Sequence, residues 1–156
     1  MTNEVEKIGF TAPAVTDEEI FEYTFEGEGL TVLAFFPGAF TKVCTKEMCE
    51  FRDSLSKLND LGAEVIGISV DTPFSQDRFR EDYDLNFMLV SDNNKEIIDN
   101  YDVRTDFDEM GFTGLAQRAL FIVKDGEIVY REVMEDPDKM PDLEKLEEEL
   151  EKIKSE

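Results

Sequence analysis

"LTVLAFFPGAFTKVCTKEMCEFRDSLSKLNDLG", residues 30–62, holds both cysteines of the chain, Cys44 and Cys49. It begins with a continuous apolar run, 30–36, rich in strand formers, which is the pattern of a buried strand. Pro37 and Gly38 break that run. Beyond them Val43, Met48, Phe51, Leu55 and Leu58 recur at helical spacing, and Gly62 stands where a helix C-cap belongs. The order is therefore strand, turn, helix. Thr41 is placed to cap the helix, which sets Cys44 three residues into it. There the unpaired backbone N–H groups and the positive end of the helix dipole favour an anion, and a nucleophilic thiolate is such an anion. The Thr41 hydroxyl is also in reach of a polar group beside the sulfur, and Pro37 stiffens the turn and shields it. A plainer account makes Cys44 a small apolar filler under a helix start, since cysteine is among the most buried residue types. Spacing alone leaves both accounts open.

Working outward, "AEVIGISV" (63–70) reads as a second buried strand and "DTPFSQDRFREDYD" (71–84) as a capped helix with a proline near its start. "NFMLVSD" (86–92) is a short strand and "NNKEIIDNYDV" (93–103) a short helix. Residues 117–134 form two strands joined at Asp125-Gly126, a strong hairpin signal. The last stretch, 141–156, is amphipathic, with Leu143, Leu146, Leu150 and Ile153 on one face. This alternation predicts an α/β architecture, a central mixed β-sheet flanked by helices on both faces, in one domain over residues 1–156.

Composition narrows the function. The chain has 156 residues, 38 of them acidic and 16 basic, for a formal charge of −22. Nucleic acid and anionic membrane surfaces are repelled by such a charge. Adaptation to high salt is one reading of the acidity; a merely acidic protein with an acidic C-terminal helix is the other. Histidine is absent. That removes Cys–His and Ser–His nucleophile pairs and every histidine-based metal site, so no metal and no cofactor are expected. "SDNNKEIIDNYD" (91–102) gathers side-chain oxygens, but Lys95 interrupts them and the spacing is not that of a calcium loop; it reads as a capped helix start. The opening, "MTNEVEKIGF", carries no apolar h-region and no stretch reaches the length of a membrane span, so the expected location is cytoplasmic. Two cysteines do not make a disulfide framework in a reducing compartment.

In a chain this acidic, the places without acids are informative. The two longest acid-free stretches run from Leu30 to Lys46 and from Gly111 to Lys124. The first carries Cys44 flanked by Lys42 and Lys46; the second carries Arg118 at the entry to a strand. Buried strands explain the apolar residues of both, but not an arginine in the middle of one. If Arg118 points at Cys44, a fixed cation supports the thiolate and the charge that develops when it attacks an oxidant.

These residues carry a resemblance. "FFPGAFTKVCTKEMCEFRD" is similar to the peroxiredoxin motif Pro-x-x-x-Thr/Ser-x-x-Cys, here Pro37, Thr41 and Cys44. "GLAQRALFIVKDGEIVYREV" resembles that family's later strand pair with its arginine, here Arg118, and "GISVDTPFSQDRF" is similar to the segment after its second core strand. The likeness covers residues 5 to 150 and points to the bacterioferritin-comigratory and single-cysteine branches, with a halophilic archaeon as the expected source. It implies a thioredoxin-like fold and thiol-dependent reduction of hydroperoxides. Cys44 is then the peroxidatic cysteine and becomes a sulfenic acid. Thr41 and Arg118 hold and polarise the peroxide, Pro37 shields the sulfenic acid, and Glu47 bridges to the arginine. Cys49 has the spacing of a resolving cysteine in the first branch; the alternative is resolution by an external thiol. Cα atoms five apart in a helix lie about 8–9 Å apart, whereas a disulfide rarely tolerates more than about 7 Å. Resolution by Cys49 therefore requires the first turns to unwind. The implied partners are a peroxide and a thioredoxin-like or low-molecular-weight thiol, with a homodimer as the assembly. A thioredoxin-type thiol–disulfide oxidoreductase competes with this reading, but it uses Cys-x-x-Cys and a later proline that "GFTGLAQRALFIV" lacks. A copper-delivery relative lacks its histidine here. An acidic, non-enzymatic binding protein is the other alternative.

Overall fold

The computed structural model describes residues 8–17, 19–136 and 138–155. The reading of residues 1–7 as free of a secretory signal, and the last residue of the 141–156 helix, lie outside the described residues. The described chain opens with an antiparallel hairpin, β1 (Phe10–Val15) and β2 (Ile20–Phe25). It continues through β3 (Leu30–Phe35), α1 (Lys42–Asp60), β4 (Glu64–Ser69), α2 (Pro73–Tyr83), β5 (Met88–Ser91) and α3 (Glu96–Asn100). A short arm follows, β6 (Arg104–Phe107), a 3-10 turn at Asp108–Met110, and β7 (Phe112–Ala116). Then come β8 (Ala119–Lys124), β9 (Glu127–Val133) and α4 (Leu143–Ser155).

Seven strands form one sheet in the order β2-β1-β5-β4-β3-β8-β9. β3, β4 and β5 pair parallel and the others antiparallel, so the sheet is mixed. β3 sits near its centre and is buried on both sides, which is why it reads as an unbroken apolar run. Its side chains alternate between two cores. Val32, Ala34 and Phe36 pack under α1, α2 and α4 with Met48, Phe51, Leu58, Phe79, Leu146 and Leu150. Leu33 and Phe35 face the opposite core with Ile97, Ile98 and Tyr101 of the α3 segment. Helices thus cover both faces, as expected.

α1 ends as its sequence indicates. Gly62 adopts a φ of 88°, the Gly62 N–H donates to the Asn59 carbonyl at 2.9 Å and the Ala63 N–H to the Leu58 carbonyl at 3.1 Å. Close packing of α1 on β4 depends on Gly67: a Cβ there would come within 2.6 Å of Leu89 and 3.5 Å of the Met48 sulfur. The Asp125-Gly126 turn has positive φ at both positions, the type I′ geometry of tight hairpins. Segment 91–102 is a capped helix: the Asp92 carboxylate accepts the Ile97 and Ile98 N–H groups at 3.0 and 2.7 Å. Two hairpins had no counterpart in the sequence reading. β1 carries Pro13 and short alanines, and β2 is a half-exposed edge strand. The β6–β7 arm pairs across a register shift, which erases the two-residue period.

Candidate active site

The turn between β3 and α1 is clamped before the helix starts. The Asp71 carboxylate, just past β4, accepts the Ala39 N–H at 2.7 Å and the Ser69 hydroxyl at 2.7 Å. Phe40 holds a φ of 67°, a conformation that costs a non-glycine residue about 1 kcal/mol. Its ring meets Phe79 edge-on and Tyr83 at a tilt, with centroids 5.2 and 6.4 Å away, and this contact offsets the strain. Thr41 then occupies the N-cap with extended backbone, and Lys42 is the first helical residue. Its hydroxyl departs from expectation. Rather than capping a helix N–H, it donates to the Gly38 carbonyl at 2.9 Å, closing the turn on itself. Cys44 is the third residue of α1, and no acidic residue lies in that first turn.

Arg118 arrives on the link between β7 and β8, beside the end of β3, because β8 pairs with β3 and Ala119 lies opposite Phe35. Its backbone is pinned on both sides: the Gln117 N–H donates to the Val103 carbonyl at 2.6 Å and the Met134 N–H to the Arg118 carbonyl at 2.8 Å. The side chain is buried, and its Nη1 lies 3.3 Å from the Cys44 sulfur. The same Nη1 donates to Glu47 Oε1 at 2.6 Å. Cys44 and Glu47 are three apart on α1 and so share a helix face. Burial pushes the Glu47 carboxyl up to about 7, against the lowering influence of Arg118. Burial pulls the Arg118 guanidinium down, but Glu47 and Cys44 more than offset it and hold the charge firmly in place.

Pro37, Thr41, Cys44 and Arg118 line one open pocket of about 780 Å³, and Glu47 stands behind it, buried against Arg118. Cys49 does not line this pocket; it lies further along the wound helix, half-buried, and both cysteines are free thiols. The sequence reading had missed Asp71, which fixes the turn, and the 106–110 segment with Asp138, which forms the rest of the wall. Asp71 lies within "GISVDTP", where the sequence marks a strand end and a helix start but nothing that points back to the turn before α1. Nothing local in 106–110 marks it as part of a site. Among the described residues no group of three or more His, Cys, Asp or Glu side chains gathers as a metal site.

A family model described as AhpC/TSA family matches residues 6–131. The chain belongs to the AhpC/TSA family. It is similar to the peroxiredoxin Bcp of Escherichia coli, 34% identical over 121 residues that cover 76% of this chain and 77% of that protein. It is 33% identical to the thiol peroxidase of Campylobacter jejuni over 150 residues, 92% of this chain and 82% of that one. Among solved structures, peroxidoxin BcpB from Mycobacterium tuberculosis superposes with a TM-score of 0.80 at 24% identity, covering 98% of this chain and 99% of the other. Enterococcus faecalis AhpC gives 0.86 at 21% identity, with 99% and 94% covered. At those identities the structures speak for the shared thioredoxin-like fold. The sequence relatives place this AhpC/TSA-family chain with Bcp-type peroxiredoxins; they carry no information about a salt-rich habitat.

Proposed function

We propose that Cys44 carries out the peroxide reduction of this AhpC/TSA-family chain, with Arg118, Thr41 and Pro37 around the peroxide. The chain is a thiol-dependent peroxidase, its substrate a peroxide and its reductant a thiol. What supports the assignment to Cys44 is one observation: a buried guanidinium 3.3 Å from a sulfur in the first turn of a helix.

In this reading the Cys44 thiolate attacks the terminal oxygen of the peroxide. An S–O bond forms as the O–O bond breaks, the alkoxide or hydroxide leaves and takes up a proton, and Cys44 becomes a sulfenic acid. Negative charge moves from sulfur to the departing oxygen, and the fixed fork of Arg118 stabilises it at both ends. The Thr41 hydroxyl donates its hydrogen bond to the Gly38 carbonyl, so its oxygen is left to accept from the peroxide O–H and orient it. Pro37 is buried at the edge of the sulfur and limits further attack on the sulfenic acid. Glu47 holds the guanidinium in register.

A reductant thiol then attacks the sulfenic sulfur, releasing water and leaving a mixed disulfide that a second thiol opens. While α1 is wound, that first thiol comes from outside, from a thioredoxin-like or low-molecular-weight donor. Cys49 takes this part only after the first turns of α1 open locally. The same reading treats residues 1–156 as one domain acting in the cytoplasm as a homodimer, and the charge of −22 disfavours nucleic acid and anionic membranes. No helix among the described residues is long and apolar enough to cross a membrane.

The test is oxidation with one equivalent of peroxide and mass mapping of both cysteines. Sulfenic acid or a disulfide at Cys44 supports the assignment, and a 44–49 disulfide adds Cys49 as resolver. Oxidation at Cys49 with Cys44 still reduced removes the assignment.

A further inference from the structure

Hydrogen peroxide needs far less room than the pocket over Cys44 offers. Its volume of about 780 Å³ lies in the range of cavities that hold small organic ligands. Its apolar wall comes from three side chains. Val43, which shares the helical spacing of Met48 and Phe51 in the sequence, lines the pocket. Phe107 and Met110 come from the β6–β7 arm, and Met110 is 62% exposed.

Charge at the mouth is one-sided. Asp106, Asp108, Glu109 and Asp138 line it and are exposed. They face one exposed ammonium, Lys42. Arg118 lies behind the sulfur, with its charge already engaged by Glu47 and Cys44. The arm is tied to the α3 segment, where Arg104 Nη1 donates to Asp99 Oδ2 at 3.0 Å and Lys95 Nζ to the Thr113 carbonyl at 3.3 Å, and within the bulged hairpin Asp106 Oδ1 accepts the Gly114 N–H at 2.8 Å. The anionic character of the molecule thus continues to the lip of the site and stops at the buried cation.

We propose that this mouth selects uncharged hydroperoxides bearing an apolar substituent and turns away peroxides that carry a negative charge. The proposal rests on Cys44 being the attacking residue. An apolar substituent gains burial against Val43, Phe107 and Met110 once the peroxide reaches Cys44. A carboxylate on the same substituent crosses a field of four like charges, focused by low-dielectric walls. Salt weakens this selection, because the screening length shortens from about 30 Å at 0.01 M salt to about 8 Å at physiological ionic strength and about 3 Å at 1 M.

A matched pair of probes tests it: a medium-chain hydroperoxy acid and its methyl ester, with hydrogen peroxide alongside. The second-order rate of Cys44 oxidation is measured by quench and mass spectrometry at low and high salt. At low salt the ester is expected to react about tenfold faster than the acid, from the field at the mouth. High salt should cut that ratio to about twofold. Neutralising the rim with Asp108→Asn, Glu109→Gln and Asp138→Asn together should bring the ratio toward one at low salt. Met110→Ser should lower the ratio of ester to hydrogen peroxide rates several-fold. Should the triple variant fail to fold, the salt dependence of the parent protein still decides. Equal acid and ester rates at low salt, with hydrogen peroxide oxidising Cys44 normally, overturn the selectivity. Failure of all three probes to oxidise Cys44 overturns instead the role of the cysteine on which it rests.

Discussion

Cys44 and Cys49 stand one and a half turns apart on α1 and meet different physics. At Cys44 the helix has just begun, its first N–H groups are unpaired, and the Arg118 guanidinium lies 3.3 Å from the sulfur. At Cys49 the backbone is fully bonded within the helix, the side chain is half-buried, and it does not line the pocket. The residue type is the same and Cys44 is the more buried of the two, so the reactivity proposed for Cys44 belongs to position: a helix end, a buried cation and a place on the pocket wall. The comparison also shows why Arg118 rather than a lysine suits this place. A single Nη1 reaches both Cys44 and Glu47, and a guanidinium, unlike a lysine ammonium, keeps its charge when buried inside the fold.

The sharpest way to break this contrast is to exchange the sulfurs one at a time. Cys44→Ser should reduce peroxide consumption by more than about a thousandfold, the scale on which loss of a nucleophile registers. Cys49→Ser should leave the first oxidation of Cys44 within about threefold, because Cys49 shares none of the helix-head field. Stopped-flow oxidation of both variants checks this, and equal losses would erase the distinction. Next in size is Arg118→Ala. It should slow the first oxidation by about a hundredfold in the same stopped-flow measurement, as loss of a preorganised donor at developing charge does.

Smaller again is the effect of the clamp on the turn. Asp71→Ala leaves the Ala39 N–H and the Ser69 hydroxyl without their acceptor and should cost about 1–3 kcal/mol in denaturant unfolding. A several-fold loss of rate should accompany it as Thr41 and Cys44 lose their setting; an unchanged rate would detach the turn from the site.

The subtlest test uses Glu47. Burial raises its carboxyl from an ordinary 4.5 to about 7. Between those values the folded protein holds a proton that the unfolded chain has released. The stability this supplies is complete below the lower value and is lost as pH climbs through the upper one. Glu47→Gln keeps an oxygen for Arg118 but cannot titrate. The parent should therefore lose denaturant resistance relative to the variant across that window, and parallel curves would mean the carboxyl is not held in its neutral form.

How much of this was legible beforehand varies along the chain. The strand–turn–helix of 30–62 was legible because each level agrees: an apolar run, a proline and glycine, a helical stripe, a closing glycine. Glu47 and Arg118 were legible as a pair only through the family resemblance, which aligns residues 71 apart. The β1–β2 and β6–β7 hairpins were not, since an edge strand, a proline and a bulge each blur the two-residue period. Val43 shows the limit of helical spacing: the buried stripe of α1 runs through Cys44, Met48, Phe51 and Leu58, and Val43, one residue off it, lines the pocket instead.

By itself, then, the sequence determined that a cysteine would sit in the first turn of a helix behind a central buried strand, because propensity, capping and hydrophobic period act over a few residues. Tertiary structure alone decided that Arg118 reaches that sulfur and that four carboxylates border the pocket. Those outcomes depend on which strands pair and how a bulged arm folds over. Such long-range contacts are set by the packing of the whole sheet, and no local run of residues encodes them.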